Sequence, residues 1–377
     1  MRPILTLLIA CLLTACAAPQ YTVDDGRLID AALLERMRAY GQGEQAIRPA
    51  IVRSAKLQDA DCEKQWELPF SVATSFGASV DQRMAWVRAL NVDERLTVIA
   101  ASKASPLQPG DKIVKVGAFD IAATDKLLQL LEKLRDDGFP FDVQLSNRKT
   151  LRVVPFRVCR GYARFAPPGN PNLQSFHWQM IVFPLEVARA GLSPDQALWM
   201  VLWAQGVSEE GGARMKAYHY GTGMLGTLFT LASGIQSASV ASNVGLSVAK
   251  SAASSVATGM LKNQLADQAA SSAQKRQRIK DAMQRAAANR SSLTGIDWAA
   301  STVFEEADEW AYLRLDRLNA NPLAGFSLHQ KLIEQDATSN FLVFDPKRLK
   351  ALGKIADEEG YGDEVQALLQ GIEPDEL

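Results

Sequence analysis

The chain has 377 residues, 47% of them hydrophobic and 22% charged, with a formal net charge of -1. That is enough apolar material for a sizeable core and for two or three domains. The even charge balance excludes the basic footprint of a nucleic-acid binder.

The first residues read as a targeting segment. Arg2 supplies a positive flank, Ile4 to Leu13 form a short apolar core, and Leu13-Thr14-Ala15 precede Cys16. The apolar core is too short to span a bilayer, and small residues ahead of a cysteine match the cleavage motif of a bacterial lipoprotein leader. Residues 1–15 are therefore expected to be removed and Cys16 to carry the acyl chains that tether the protein to a membrane. Ala17 stands where a retention signal would place aspartate. The resemblance to sorting signals of Gram-negative lipoproteins implies the outer membrane, on its periplasmic face. Of the four cysteines, Cys11 leaves with the leader and Cys16 takes lipid, so Cys62 and Cys159 remain. In an oxidising compartment they are expected to form a disulfide, closing a loop worth roughly 4–5 kcal/mol in the chain-entropy model. Two separate buried thiols are the alternative.

Residues 16–60 read as a tether followed by a helix. Leu28, Ala31, Ala32, Leu34 and Met37 recur at helical spacing among charged residues, and Gly41-Gln42-Gly43 is expected to end the helix. Residues 61–160 turn to strands at Leu96–Ala101, Ile113–Val116, Phe141–Leu145 and Leu151–Val158, with one helix at Thr124–Asp136. Within them, Leu107-Gln108-Pro109-Gly110-Asp111-Lys112-Ile113-Val114-Lys115-Val116-Gly117 resembles the L-x-P-G-D-x-I turn and strand of bacterial PDZ domains. Pro109, Gly110 and Asp111 would make the turn into the strand and Gly117 the turn out of it. The resemblance implies a groove that binds protein or peptide clients by adding a strand to a sheet edge. No glycine occurs between Gly77 and Gly110 to form the usual carboxylate-binding loop. The groove is then either a packing surface or a site for internal segments.

Residues 161–350 change character after the loop Pro167-Pro168-Gly169-Asn170-Pro171-Asn172. Ser193, with Pro194 and Gln196, forms an S-x-x-Q capping box. The helix continues as Ala197-Leu198-Trp199-Met200-Val201-Leu202-Trp203-Ala204, apolar on every side and so buried. With the preceding segment Met180-Ile181-Val182-Phe183, this resembles the HtpX-like, CAAX-prenyl-protease-like zinc metallopeptidases. There a buried helix carries H-E-x-x-H, with histidines at i and i+4 for zinc and a glutamate as general base. Here Trp203, Ala204 and Val207 hold those places. A later helix supplies the family's third ligand three residues before an Ala-Asp pair; counting back from Ala307-Asp308 gives Phe304, and a slip of one residue gives Glu305. Leu318-Asn319-Ala320-Asn321-Pro322 and Phe344-Asp345-Pro346 resemble later family turns, the second without its histidine. Glu305, Glu306, Asp308 and Glu309 read as a solvated face over buried Val303, Phe304, Ala307, Trp310 and Ala311. Residues 216–290 read as a helical insertion, uncharged between Lys216 and Lys250, in which Gly221 to Ala241 is long enough to cross a bilayer but diluted by polar residues. Residues 351–377 read as a helical tail.

The expected class is α+β, a small β-rich PDZ-like unit followed by a mainly helical metallopeptidase-like unit with a small sheet. The expected function is binding: an outer-membrane lipoprotein, without metal, cofactor or catalysis, that presents client segments in envelope quality control. Two rivals stand beside it. One is an active zinc peptidase with an atypical site, using His219 with Glu209, Glu210 or Asp308. The other is a structural lipoprotein docked on an assembly.

Overall fold

Asp30 starts the first helix, α1 (Ala31–Ser54), by accepting a hydrogen bond from the Ala32 amide. The computed structural model describes residues 21–118, 123–176, 179–222, 277–285, 297–338 and 340–368. Contrary to the sequence expectation, α1 does not stop at Gly41-Gln42-Gly43 but runs for 24 residues, through Pro49. Its glycines serve close approach. A Cβ on Gly41 would lie 2.5 Å from a Leu90 methyl, and one on Gly43 2.5 Å from the Phe165 ring. Each glycine costs about 1 kcal/mol of helix propensity; packing on both flanks offsets it.

Two short strands that the sequence reading missed follow, β1 (Lys64–Glu67) and β2 (Phe70–Ala73). Helix α2 (Val80–Leu90) opens on a capping box between Ser79 and Gln82 and ends at Asn91, whose φ is 55°. Then come β3 (Leu96–Ala101), β4 (Lys112–Val116), α3 (Thr124–Asp137), β5 (Phe141–Leu145) and β6 (Thr150–Val153). Strands β2 to β6 form one antiparallel sheet in the order β2-β3-β4-β5-β6, which leaves β2 and β6 at its edges. Leu127, Leu128 and Leu131 of α3 pack with Phe70, Val98, Ile113 and Val143 in the core of this unit.

The single strand expected over Leu151–Val158 is two strands. Pro155 has no N–H to continue the ladder, so β6 stops at Val153 and β7 (Phe156–Cys159) leaves the sheet to pair with β1. That pairing sets Lys64 opposite Cys159, and the Cys62–Cys159 disulfide closes the ribbon with a Cα–Cα separation of 5.6 Å.

Beyond it, β8 (Tyr162–Phe165), β9 (Ser175–Phe176) and β10 (Met180–Phe183) make a second small sheet in the order β8-β10-β9. It leads into α4 (Leu185–Arg189), α5 (Pro194–Thr222), α6 (Asp297–Arg317), α7 (Ala324–Glu334), α8 (Pro346–Glu358) and α9 (Gly362–Leu368). The capping box at the start of α5 is present: Gln196 N donates to Ser193 Oγ at 3.2 Å and Ser193 N to Gln196 Oε1 at 3.0 Å. Among the described residues helix predominates over strand, in segregated units, which is the α+β class.

α1 joins the two units. Met37 packs with Ala73, Ala85, Trp86 and Ile99 beside the large sheet, and Ile47, Ala50 and Ile51 enter the core of the helical unit. The boundary drawn at residue 350 falls inside α8, whose Leu352 and Ala356 are buried in that same core. Most of the uncharged segment and the start of the charged helix expected from Lys262 lie outside the described residues. Residues 277–285 are helical, with Ala282 and Met283 buried. Among the described residues no helix is long and apolar enough to cross a membrane.

Candidate functional site

β2 is an edge strand, so one side of its backbone has no strand partner among the described residues. Such an edge is a template for pairing unless something covers it. Here it faces a groove of about 120 Å³ rather than a filled surface. Phe70 to Thr74 form one wall, Leu128, Leu131, Glu132 and Arg135 of α3 the opposite wall, and Tyr40, Glu44 and Arg48 of α1 one end. Phe165, the last residue of β8, and Pro167 and Pro168 from the loop after it complete the rim. The arrangement can hold an extended segment along β2 with side chains against α3.

Charge is balanced inside the groove but not fully paired. Arg48, 7% exposed, gives Nη1 to Glu67 Oε2 at 2.8 Å and to the Leu68 carbonyl at 3.1 Å. Arg135 bonds Asp136 at 2.8 Å and stacks 5.0 Å over the Tyr162 ring, while Arg164 lies 5.6 Å over the same ring. Glu132 is different: burial pushes its carboxyl up, opposed by Arg164 and Arg135. Burial also raises the Tyr40 phenol well above its usual value, helped by neighbouring Glu44. The Ser71 hydroxyl and the Trp86 indole N–H are buried without hydrogen-bond partners.

The four turn positions named from sequence lie elsewhere. Gly110 has φ 94° and Gly117 φ 62°, so both need glycine's freedom. The Asp111 carboxylate accepts from Gln108 N at 2.9 Å, closing the turn after Pro109. These residues shape the entry to β4 and do not line the groove. The groove residues Glu44 and Arg48 of α1, and those of β2, were missed because α1 was ended about three turns too early and β2 is only four residues long. The Ser79-x-x-Gln82 cap was the available signal for α2.

The second set of expected site residues does come together. Trp203, Ala204 and Val207 on α5 and Phe304 on α6 are each fully buried. The Trp203 and Phe304 rings lie 5.1 Å apart, Phe341 stacks on Trp203 at 5.5 Å, and Phe183 and Trp199 each sit 6.4 Å from it. Phe304, rather than Glu305, faces Trp203, because Glu305 turns to Lys347 at 3.0 Å. The helices approach closely at Gly206, where a Cβ would lie 2.9 Å from Ala307 Cα.

Asp308 corrects the sequence reading. It does not belong to a solvated face but is 1% exposed, gripped by both Nε and Nη2 of fully buried Arg348 at 2.7 Å. Arg348 also donates to the Phe341 carbonyl at 2.7 Å. Burial pushes the Asp308 carboxyl up and the Arg348 guanidinium pulls it back. The Trp203 indole N–H lies close enough to Asp308 to favour its charge, yet makes no hydrogen bond of adequate geometry. Beside this pair, His329 accepts from Phe344 N through Nδ1 at 2.8 Å and stacks on the Phe344 ring at 4.8 Å. Among the described residues no group of three or more His, Cys, Asp and Glu is arranged to hold a metal ion. Of the partners named for an atypical site, Glu209 accepts from Glu63 N at 3.1 Å and Asp308 is held by Arg348. Cys16, His177 and the side chain of His219 lie outside the described residues. No protein-family model, curated protein or solved structure matches this chain.

Proposed function

We propose that this chain is a membrane-anchored periplasmic lipoprotein that binds extended segments of client proteins, with a metallopeptidase-like unit that carries no catalysis. Envelope protein quality control is the role such a binder would serve. The observation that carries the reading is the open groove between edge strand β2 and α3. The leader motif ending in Cys16 supports the anchor, and the Cys62–Cys159 disulfide supports an oxidising compartment. The non-catalytic assignment is supported by the four positions in α5 and α6 whose side chains have no metal-ligating or proton-transferring group.

An anchor at Cys16 would hold the body close to its membrane. Tyr21 already lies against the fold, with the Arg95 guanidinium 4.1 Å over its ring, and Asp24 bonds both Nε and Nη2 of Arg88. The five steps from Cys16 to Tyr21 reach at most about 18 Å when extended.

Site-specific photo-cross-linking tests the binding reading. A photoreactive residue at Pro167 on the groove rim should capture extended peptides and protect the amides of residues 68–75 from hydrogen exchange. The same group at exposed Val154, 57% accessible, should capture none. Equal capture at both positions, or none at 167, would overturn it.

A further inference from the structure

Glu44 is only 5% exposed, lines the groove, and has no hydrogen bond or ion pair among the described residues. A buried carboxylate without a partner is costly, and this one sits at the end of an open channel rather than in a packed core. Its neighbours on α1 do not satisfy it. Arg48, one helical turn on, is committed to Glu67 and Leu68, and Tyr40, one turn back, lines the same groove. Across the channel, Glu132 is a second carboxylate without a hydrogen bond. The lining carries three carboxylates, Glu44, Glu67 and Glu132, and three arginines; Arg48 is ion-paired with Glu67, while Arg164 and Arg135 both act on Glu132, so none of the three pairs with Glu44. Glu44 is therefore the groove carboxylate left for a ligand to pair.

We propose that the groove selects an extended segment carrying one lysine or arginine side chain, which reaches the α1 end of the channel and pairs with Glu44. This rests on the peptide-binding reading and deepens it. A carboxylate on a side chain only 5% exposed has little hydration left to lose on binding, so a charge-assisted hydrogen bond there adds affinity as well as choice. A ligand with glutamate at that place would bring like charges together at close range. A terminal carboxylate is equally disfavoured at this end, which agrees with the missing glycine loop and points to internal segments.

Fluorescence anisotropy with the full chain tests this. The probes are labelled ten-residue peptides of alternating Thr and Val whose central residue is Lys, norleucine or Glu. The Lys peptide should bind about tenfold more tightly than the Glu peptide, and Glu44→Gln should reduce that preference to about twofold. Glu44→Lys should reverse the preference, and circular dichroism checks that both variants fold. An unchanged Lys-over-Glu ratio in Glu44→Gln, with amides 68–75 still protected by peptide, overturns the charge selection and leaves the groove reading standing. If no peptide protects those amides, the groove reading falls and the selection with it.

Discussion

Trp203→Ala probes the packed centre of the helical unit. The indole is fully buried and meets four other aromatic rings, those of Phe304, Phe341, Phe183 and Trp199, at centroid separations of 5.1 to 6.4 Å. Truncating a buried Trp costs about 3–5 kcal/mol, with the larger figure where the walls cannot collapse. Here the walls are rings fixed on separate elements: β10, α5, α6 and the segment before α8. Each well-set aromatic pair adds about 0.5–1.5 kcal/mol beyond area burial. The expected loss is therefore about 4–5 kcal/mol. In urea, with a slope of about 3 kcal/mol/M for a chain of this size, the midpoint falls by roughly 1.5 M. Far-UV circular dichroism across a urea series reads it. The cavity should be dry and largely aromatic, so benzene should recover part of the loss, whereas Trp203→His should gain nothing from added zinc because the neighbouring carboxylate, Asp308, is held by Arg348. A midpoint shift under about 0.3 M, or a zinc-dependent rise in Trp203→His, would refute the account of a filled, non-ligating centre.

Asp308→Asn should cost about 3–5 kcal/mol, since it strands the Arg348 charge in the core. Adding Arg348→Met should recover most of that and leave the Phe341 carbonyl unpaired; a double variant no more stable than Asp308→Asn in the same urea assay would deny that charge burial is the cost. His329 is held neutral, its pKa pushed down to about 3 by burial, with Arg348 adding to the effect. Above pH 6.5 both states are neutral; as pH falls below 6.5 only the unfolded chain takes the proton, so stability drops by about 1.4 kcal/mol per pH unit until about pH 3. The difference in stability between the native chain and His329→Gln should therefore change across that window, and parallel profiles would remove the assignment. Replacing both Cys62 and Cys159 by serine should cost about 2–5 kcal/mol by releasing a link across 97 residues, and an unchanged thermal midpoint would show that the ribbon does not need it.

Legibility in the sequence followed the strength of local signals. Leu96–Ala101 and Phe141–Leu145 were readable to the residue because apolar runs bounded by turn residues have one cheap solution. Ser193 and Gln196 announced α5 for a similar reason, as two side chains that satisfy each other's backbone. Gly41 and Gly43 misled because a glycine that ends a helix and one that admits a neighbour look the same until Leu90 and Phe165 are in place. Asp308 misled because its neighbours Glu305, Glu306 and Glu309 are charged, and only Arg348, 40 residues on, makes its burial tolerable. The groove was the least legible feature. Its walls come from α1, β2, α3 and the loop after β8, and no local pattern records that these converge.

The geometry of α1 gives the helical unit a use that needs no chemistry. Glu44 and Arg48 stand at the end of the groove, and the next turns of the same helix are fastened to the helical unit: Ser54 Oγ accepts from Gln205 Nε2 at 3.0 Å, and Arg53 pairs with Asp195 at 2.6 Å. Arg53 also reaches the Leu318 carbonyl at 3.2 Å. A groove wall set on one helix alone would shift with every rotation of that helix. Fixed at both ends, by Met37 against the large sheet and by Ile47 and Ile51 in the helical core, α1 cannot turn without breaking one of two cores. The buttress works only if its own centre is rigid, and interlocked aromatic rings around a closed ion pair give that rigidity more surely than a hydrated metal site with an open coordination position. On the binding reading, filling the α5–α6 centre and holding Glu44 in place are the same structural task.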